Sequence, residues 1–276
     1  MDAPSLRFSF YGRHPVIPYF QQPKLHLGPI TIHAFGVLVA SGILLAFRLI
    51  RRRAPKIGLD PVLAERLAMR MVVIGFIAAH VVDRLAYFPR DVLARPWSLL
   101  FIWESISSFG GFLGATLVAL WFVRSQPDRS LGWRYLDLIA WVFPVAWFLG
   151  RSGCAVAYDH PGYETSFFLA QRYSDHVVRH NLGLYEALCT IPLVVAFQWL
   201  ARGRPRPPGY FVGLLALVYA PIRFLLDTLR FDDVRYFGFT PAQYGSVLLA
   251  AVGFTILYRI SRGRVPKPPS SSATAG

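Results

Sequence analysis

"GYFVGLLALVYAPIRFLLDTLRFDD", residues 209–233, decides the fold. It opens as an apolar run close to the ~20 residues that an α-helix needs to cross a hydrocarbon core. Arg223 and Asp227 interrupt that run, and Arg230 closes it. Tyr219, Arg223, Asp227 and Arg230 are spaced by four, four and three, which puts all of them on one helix face. An ionisable residue inside a span is expensive and usually functional. Arg223 and Asp227 can pair, which lowers the cost of burying them. The plain alternative is a structural ion pair near a helix end, with Arg230 snorkelling to the interface.

Six further apolar runs flank this one. The expected spans are 30–50, 67–87, 108–123, 135–149, 182–200, 210–229 and 242–260. With 54% hydrophobic residues and a mean hydropathy of +0.42, the chain is too apolar for an ordinary soluble domain. The expected fold is all-α: a polytopic transmembrane helical bundle of about seven spans. Residues 30–262 form its one domain. An aromatic segment, 1–29, is expected to lie in the membrane interface, without the order of a cleavable signal. A polar tail, 263–276, follows. "DVLARPWSLLFIW", residues 91–103, is too short to span and too apolar for a free loop.

The formal net charge is +14, from 29 basic and 15 acidic residues. The basic residues sit in short loops between apolar runs, which argues against a nucleic-acid partner and for orientation in a bilayer. The heavier share falls on one side: Arg48, Arg51 to Arg53, Lys56, Arg66 and Arg70, then Arg124, Arg129 and Arg134, Arg202, Arg204 and Arg206, and the basic residues from Arg259 onward. That side is expected to be cytoplasmic, with the N-terminus outside and the C-terminus inside.

The fourth run ends in "GRSGCAVAYDHPG", residues 150–162, at the outer boundary. Gly150 and Gly153 around Arg151 permit close backbone approach or positive φ, and Gly162 closes the loop. Arg151 reads either as an anchor among headgroups or, with Arg223 at the same level, as half of a fork for a phosphate. "RHNLGLYE" brings Arg179, His180, Tyr185 and Glu186 to that level. Asp137, at the opposite end of the fourth span, reads as a packing or helix-start residue, and His33 and His80 as packing residues. Cys154 and Cys189 cannot make a disulfide framework. No spacing suggests a metal site, and no cofactor is expected.

These motifs resemble the bacterial prolipoprotein diacylglyceryl transferase family. "GRSGCAVAYDHPG" is similar to its G-R-x-G-N-F-x-N-x-E-x-x-G signature. "YAPIRFLLDTLR" is similar to its Y-x3-R-x3-E-x2-R span, and "RHNLGLYE" to its R-H-P-x-x-L-Y-E. The resemblance runs from Gly28 to the "AQYGSVLL" of the last span. It implies transfer of a diacylglyceryl group from phosphatidylglycerol to the lipobox cysteine of a preprolipoprotein, in the bacterial inner membrane, with the active site toward the outer leaflet. A thioether forms and glycerol phosphate leaves. By the same resemblance Arg151 and Arg223 bind the headgroup and the leaving phosphate. Asp159 and Asp227 stand for family glutamates, Arg230 completes the charge network, and Tyr219 lines the site. Gly110, Gly111, His180, Tyr185 and Glu186 match positions near the substrate.

The sequence departs from the family at Phe109, where a histidine often assigned as the thiol's base usually precedes two glycines. Phenylalanine takes no proton. His160 or Asp159 can serve instead, or nearby arginines can lower the thiol's ordinary pKa of ~8.5. A lipid- or lipoprotein-binding relative without turnover, and a transporter with an arginine-lined path, are the alternatives.

Overall fold

The computed structural model describes residues 17–28, 30–101, 107–231 and 235–263. Residues 1–16 of the expected interfacial segment and 264–276 of the expected tail lie outside them. The chain is a bundle of helices with two small sheets at one end. A hairpin, β1 (Lys24–Leu27) and β2 (Ile30–His33), leads into α1 (Ala34–Arg53). Then come α2 (Pro61–Tyr87), short α3 (Pro89–Ala94), α4 (Ser108–Ser125) and α5 (Arg129–Ala157). Strands β3 (Pro161–Glu164), β4 (Gln171–Arg172) and β5 (Val178–Asn181) form an antiparallel sheet in the order β3-β5-β4. Helices α6 (Leu182–Leu200), α7 (Tyr210–Thr228) and α8 (Pro241–Ser261) complete the chain.

Six helices among the described residues are long and apolar enough to cross a membrane: α1, α4, α5, α6, α7 and α8. The protein is a multi-pass membrane protein. The expected second span is a helix, α2, but Arg70 on one side and Asp83 and Arg84 on the other confine its uncharged stretch to 71–82. It reaches the length of a span only by taking those charges in. The segment after it turns into α3 and a 3-10 turn, Pro96–Leu100, and spans nothing.

One expectation needs correcting. The fourth span does not stop at Leu149; α5 continues to Ala157, and its end is set by Tyr158 in the left-handed region at φ 62°. Gly150, Arg151 and Gly153 are therefore helical, and neither glycine has a positive φ. The helix tolerates both glycines because tertiary packing along α5 outweighs their poor intrinsic propensity.

The apolar core lies toward the basic ends of the helices. Ile50, Leu67, Phe122, Leu138, Trp141 and Phe197 are buried together there. Polar contacts tie the same end: Arg53 Nη2 donates to the Ala201 carbonyl at 2.7 Å, and the Tyr135 hydroxyl accepts from the Asp60 amide at 3.0 Å. Asp137 is the expected helix-start residue, but for another helix. Its carboxylate accepts from the Gly209 and Val212 amides at 2.7 and 3.0 Å, capping α7. His80 is fully buried, with Nε2 3.3 Å from the Ser98 carbonyl, a packing position as expected.

Candidate active site

The other end of the bundle is polar. Its centre is Glu186, in the first turns of α6 and 1% exposed. Asn181 caps α6, accepting from the Leu184 amide at 3.0 Å. Its amide donates to the Ala155 carbonyl at 2.9 Å and to the Gln171 side chain, so the start of α6 is fixed to the end of α5. Gly183 permits that approach, since a Cβ there would lie 2.7 Å from the Ala155 nitrogen.

Four side chains converge on the Glu186 carboxylate. Arg151 Nε, from α5, is 3.0 Å from Oε2, and Arg223 Nη1, from α7, is 3.5 Å from the same oxygen. Oε1 accepts from Trp147 Nε1 at 3.0 Å and from the Tyr219 hydroxyl. Arg151 is 4% exposed; its guanidinium lies 4.4 Å from the Trp147 ring centroid, and Nη1 is 3.9 Å from Cys154 Sγ. A charge this deep is tolerable only when paired.

Asp227 extends the network along α7. Its Oδ1 is 3.3 Å from Arg223 Nη2 and 3.7 Å from Arg230 Nη1, and its Oδ2 accepts from the Thr240 hydroxyl at the start of α8. The helix-face spacing of Tyr219, Arg223, Asp227 and Arg230 thus has its structural meaning: Asp227 pairs with both arginines.

The sheet closes over this end. Gly162 pairs with Arg230, and the Tyr163 amide donates to the Leu229 carbonyl at 2.9 Å. A Cβ on Gly162 would stand 2.8 Å from both His180 Cβ and that carbonyl, so this position needs glycine. His180 Nδ1 is 3.0 Å from the Tyr185 hydroxyl. Asp159 is at the exposed edge, just beyond α5; partial desolvation of its carboxyl pushes the acid up against the opposing pull of Arg151. His160 follows it with Nδ1 2.8 Å from the Asp159 carbonyl. Burial and the guanidiniums of Arg151, Arg230 and Arg223 push its imidazole down to about 3, so it stays neutral at working pH.

The structure therefore brings Arg151, Arg223, Glu186, Tyr219, Asp227 and Arg230 into one network, with Gly162, Asp159 and His160 at its rim. It places other expected residues elsewhere. Gly110 and Gly111 face α2: a Cβ on Gly110 would lie 2.6 Å from the Ala78 carbonyl, and one on Gly111 3.7 Å from Ala79 Cβ. Gly153 packs against Phe35 of α1, and a Cβ on Gly150 would meet open space. The smallness of Gly110 and Gly153 is used in helix packing. Trp147 and Thr240 were not singled out in the sequence; an apolar-run tryptophan and a loop threonine carry no sign of the carboxylates they reach.

A family profile described as prolipoprotein diacylglyceryl transferase matches residues 23–259, which takes in the whole network. The chain belongs to the prolipoprotein diacylglyceryl transferase family. Similar relatives carry the name phosphatidylglycerol–prolipoprotein diacylglyceryl transferase. The one from Azoarcus sp. strain BH72 is 27% identical, over 90% of this chain and 98% of its own. The one from Solidesulfovibrio magneticus is 29% identical, over 93% and 99%. The one from Tolumonas auensis is 30% identical, over 82% and 86%. Membership in this family of membrane transferases gives the buried arginines a chemical context: the relatives' names pair a phospholipid with a protein substrate.

Proposed function

We propose that this chain transfers the diacylglyceryl group of phosphatidylglycerol to the cysteine thiol of a preprolipoprotein lipobox. The cysteine sulfur attacks the glyceryl carbon that bears the phosphate. A C–S bond forms, the C–O bond to the phosphate breaks, and glycerol phosphate leaves with the bond's electron pair. The observation that carries this reading is the convergence of Arg151 and Arg223, from different helices, on one oxygen of Glu186. Two guanidiniums aimed at one point are suited to a phosphate whose negative charge grows as the bond breaks.

The thiol's proton goes to Asp159. Its acid is pushed upward, which strengthens the carboxylate as a base. His160, held neutral by three arginines, is the weaker base and serves instead as a neutral hydrogen-bonding group beside the headgroup. Tyr219 holds Glu186, Arg230 and Asp227 complete the charge network, and His180, Tyr185 and Gly162 shape the rim. The transferase domain covers residues 30–262 of a protein of the bacterial inner membrane. The basic ends of its helices face the cytoplasm, and the arginine network faces the outer leaflet. The lipobox peptide and the lipid meet there.

The test is complementation of a strain depleted of its own diacylglyceryl transferase, with the mass of a reporter lipoprotein measured. The expected result is a mass gain of one diacylglyceryl group. Phe109 favours a second reading, a phospholipid-binding relative without turnover, because a phenylalanine stands where the family usually has a histidine. Binding of phosphatidylglycerol by the purified protein with no mass gain on any lipobox reporter would decide for that reading. Tags at both ends, probed for access from outside the cell, test the orientation; an accessible C-terminus would overturn it.

A further inference from the structure

We propose that Trp147 is a positioning residue for the phosphate-binding arginines. The inference rests on the reading that Arg151 and Arg223 bind the phospholipid phosphate. The two Glu186 oxygens have divided roles among the described residues: Oε1 accepts from neutral donors, Trp147 Nε1 at 3.0 Å and the Tyr219 hydroxyl, whereas Oε2 meets Arg151 at 3.0 Å and Arg223 at 3.5 Å. Occupying Oε1 keeps the carboxylate from turning both oxygens onto one arginine as a bidentate pair. Arg151 and Arg223 are then held to one shared contact point, and neither is tied up by both carboxylate oxygens.

The indole also carries Arg151 over its ring. The guanidinium carbon lies 4.4 Å from the ring centroid, within cation–π range. That contact limits where the guanidinium can move. The indole is itself braced, stacked on Phe143 at 5.1 Å and edge-on to Tyr219 at 6.0 Å. One side chain four residues before Arg151 thus sets both the orientation of that arginine and the orientation of its counter-ion.

Two substitutions separate these parts. Trp147→Phe keeps a ring over Arg151 and removes the N–H donor; Trp147→Leu removes both. Each variant is compared with the wild type, in detergent and in phosphatidylglycerol nanodiscs, by thermal unfolding, by phosphatidylglycerol binding in native mass spectrometry and by transfer to a lipobox peptide. The expected result is a Trp147→Phe protein that melts near the wild type, with kcat lowered about tenfold and a smaller change in KM, because the arginines act most strongly on the leaving phosphate. Trp147→Leu should lose more and also bind phosphatidylglycerol several-fold more weakly. A folded Trp147→Phe with unchanged binding and kcat overturns the positioning role and leaves the transferase reading standing. A wild type that binds phosphatidylglycerol without transfer overturns the transferase reading; weaker binding in Trp147→Leu then still supports the positioning role, and unchanged binding overturns it. A wild type that neither binds nor transfers overturns both.

Discussion

Arg151 Nε and Glu186 Oε2 lie 3.0 Å apart, with the arginine 4% and the glutamate 1% exposed. Removing one partner of such a buried pair leaves the other uncompensated, at a cost of about 3–5 kcal/mol. Glu186→Gln strands Arg151, while Arg223 keeps Asp227. Arg223→Gln leaves Glu186 with Arg151 and Asp227 with Arg230. Glu186→Gln is therefore expected to lower the melting temperature more than Arg223→Gln, measured on both proteins in the same detergent.

Arg151→Gln and Arg223→Gln should each weaken phosphatidylglycerol binding by about tenfold or more, since a charge-assisted bond is worth roughly 1.5–3 kcal/mol. Lysine at either position is expected to restore only part, because it lacks the planar fork. Binding to nanodiscs of defined lipid composition checks this. Full binding by both glutamine variants, still folded, would make the arginines structural anchors.

Gly162→Ala and Gly150→Ala form a matched pair. The methyl group at 162 meets His180 Cβ and the Leu229 carbonyl at 2.8 Å, whereas the one at 150 meets nothing within 4 Å. Overpacking of this kind costs about 1–3 kcal/mol. Gly162→Ala should melt lower and separate the sheet from the end of α7, read as faster amide exchange at Tyr163. Gly150→Ala should melt no lower than the wild type, since alanine favours the helix, and should leave exchange at Tyr163 unchanged.

The pH dependence follows from His160. The folded protein holds this imidazole neutral down to about 3, whereas an unfolded histidine takes a proton near 6.5. Between these values the unfolded chain binds more protons than the folded one. The stability contributed by neutral His160 is thus complete above that window and declines as the pH falls through it. His160→Gln should flatten the fall in melting temperature between pH 7 and 5. It should also lower kcat far less than the roughly hundredfold or more that loss of a general base would cost.

Phe109 is 47% exposed, and its ring lies 3.7 Å from where a Cβ on Gly245 of α8 would stand. A histidine there is not needed if Asp159 takes the proton. Phe109→His is expected to change kcat by less than about threefold, against the hundredfold or more that general-base catalysis contributes. A gain of that larger size would show that the chain lacks a base.

The spans were legible because burial in lipid leaves long apolar runs in the sequence, and six of them reappear as helices of spanning length and composition. The face of α7 was legible too, since helical periodicity fixes which residues share it. The extent of α5 was not. Glycines at 150 and 153 resemble a chain break, and the α1 contact that accommodates Gly153 comes from Phe35, far away in sequence. The hub position of Glu186 was hidden for the same reason: its partners Trp147, Arg151, Tyr219 and Arg223 come from α5 and α7, and no local pattern in α6 announces them.

The sharing of Glu186 between Arg151 and Arg223 also bears on how the chain enters a bilayer. Helix α7 carries its own counter-ion for Arg223 in Asp227, but α5 carries Arg151 and finds its compensation only in α6. On insertion scales an arginine at the centre of an inserting helix costs about 2.5–3.5 kcal/mol, and less near an end. Here the debt lasts for one helix, because the very next segment to leave the ribosome brings the carboxylate that cancels it. Electroneutrality in this part of the bundle is reached in the order of synthesis.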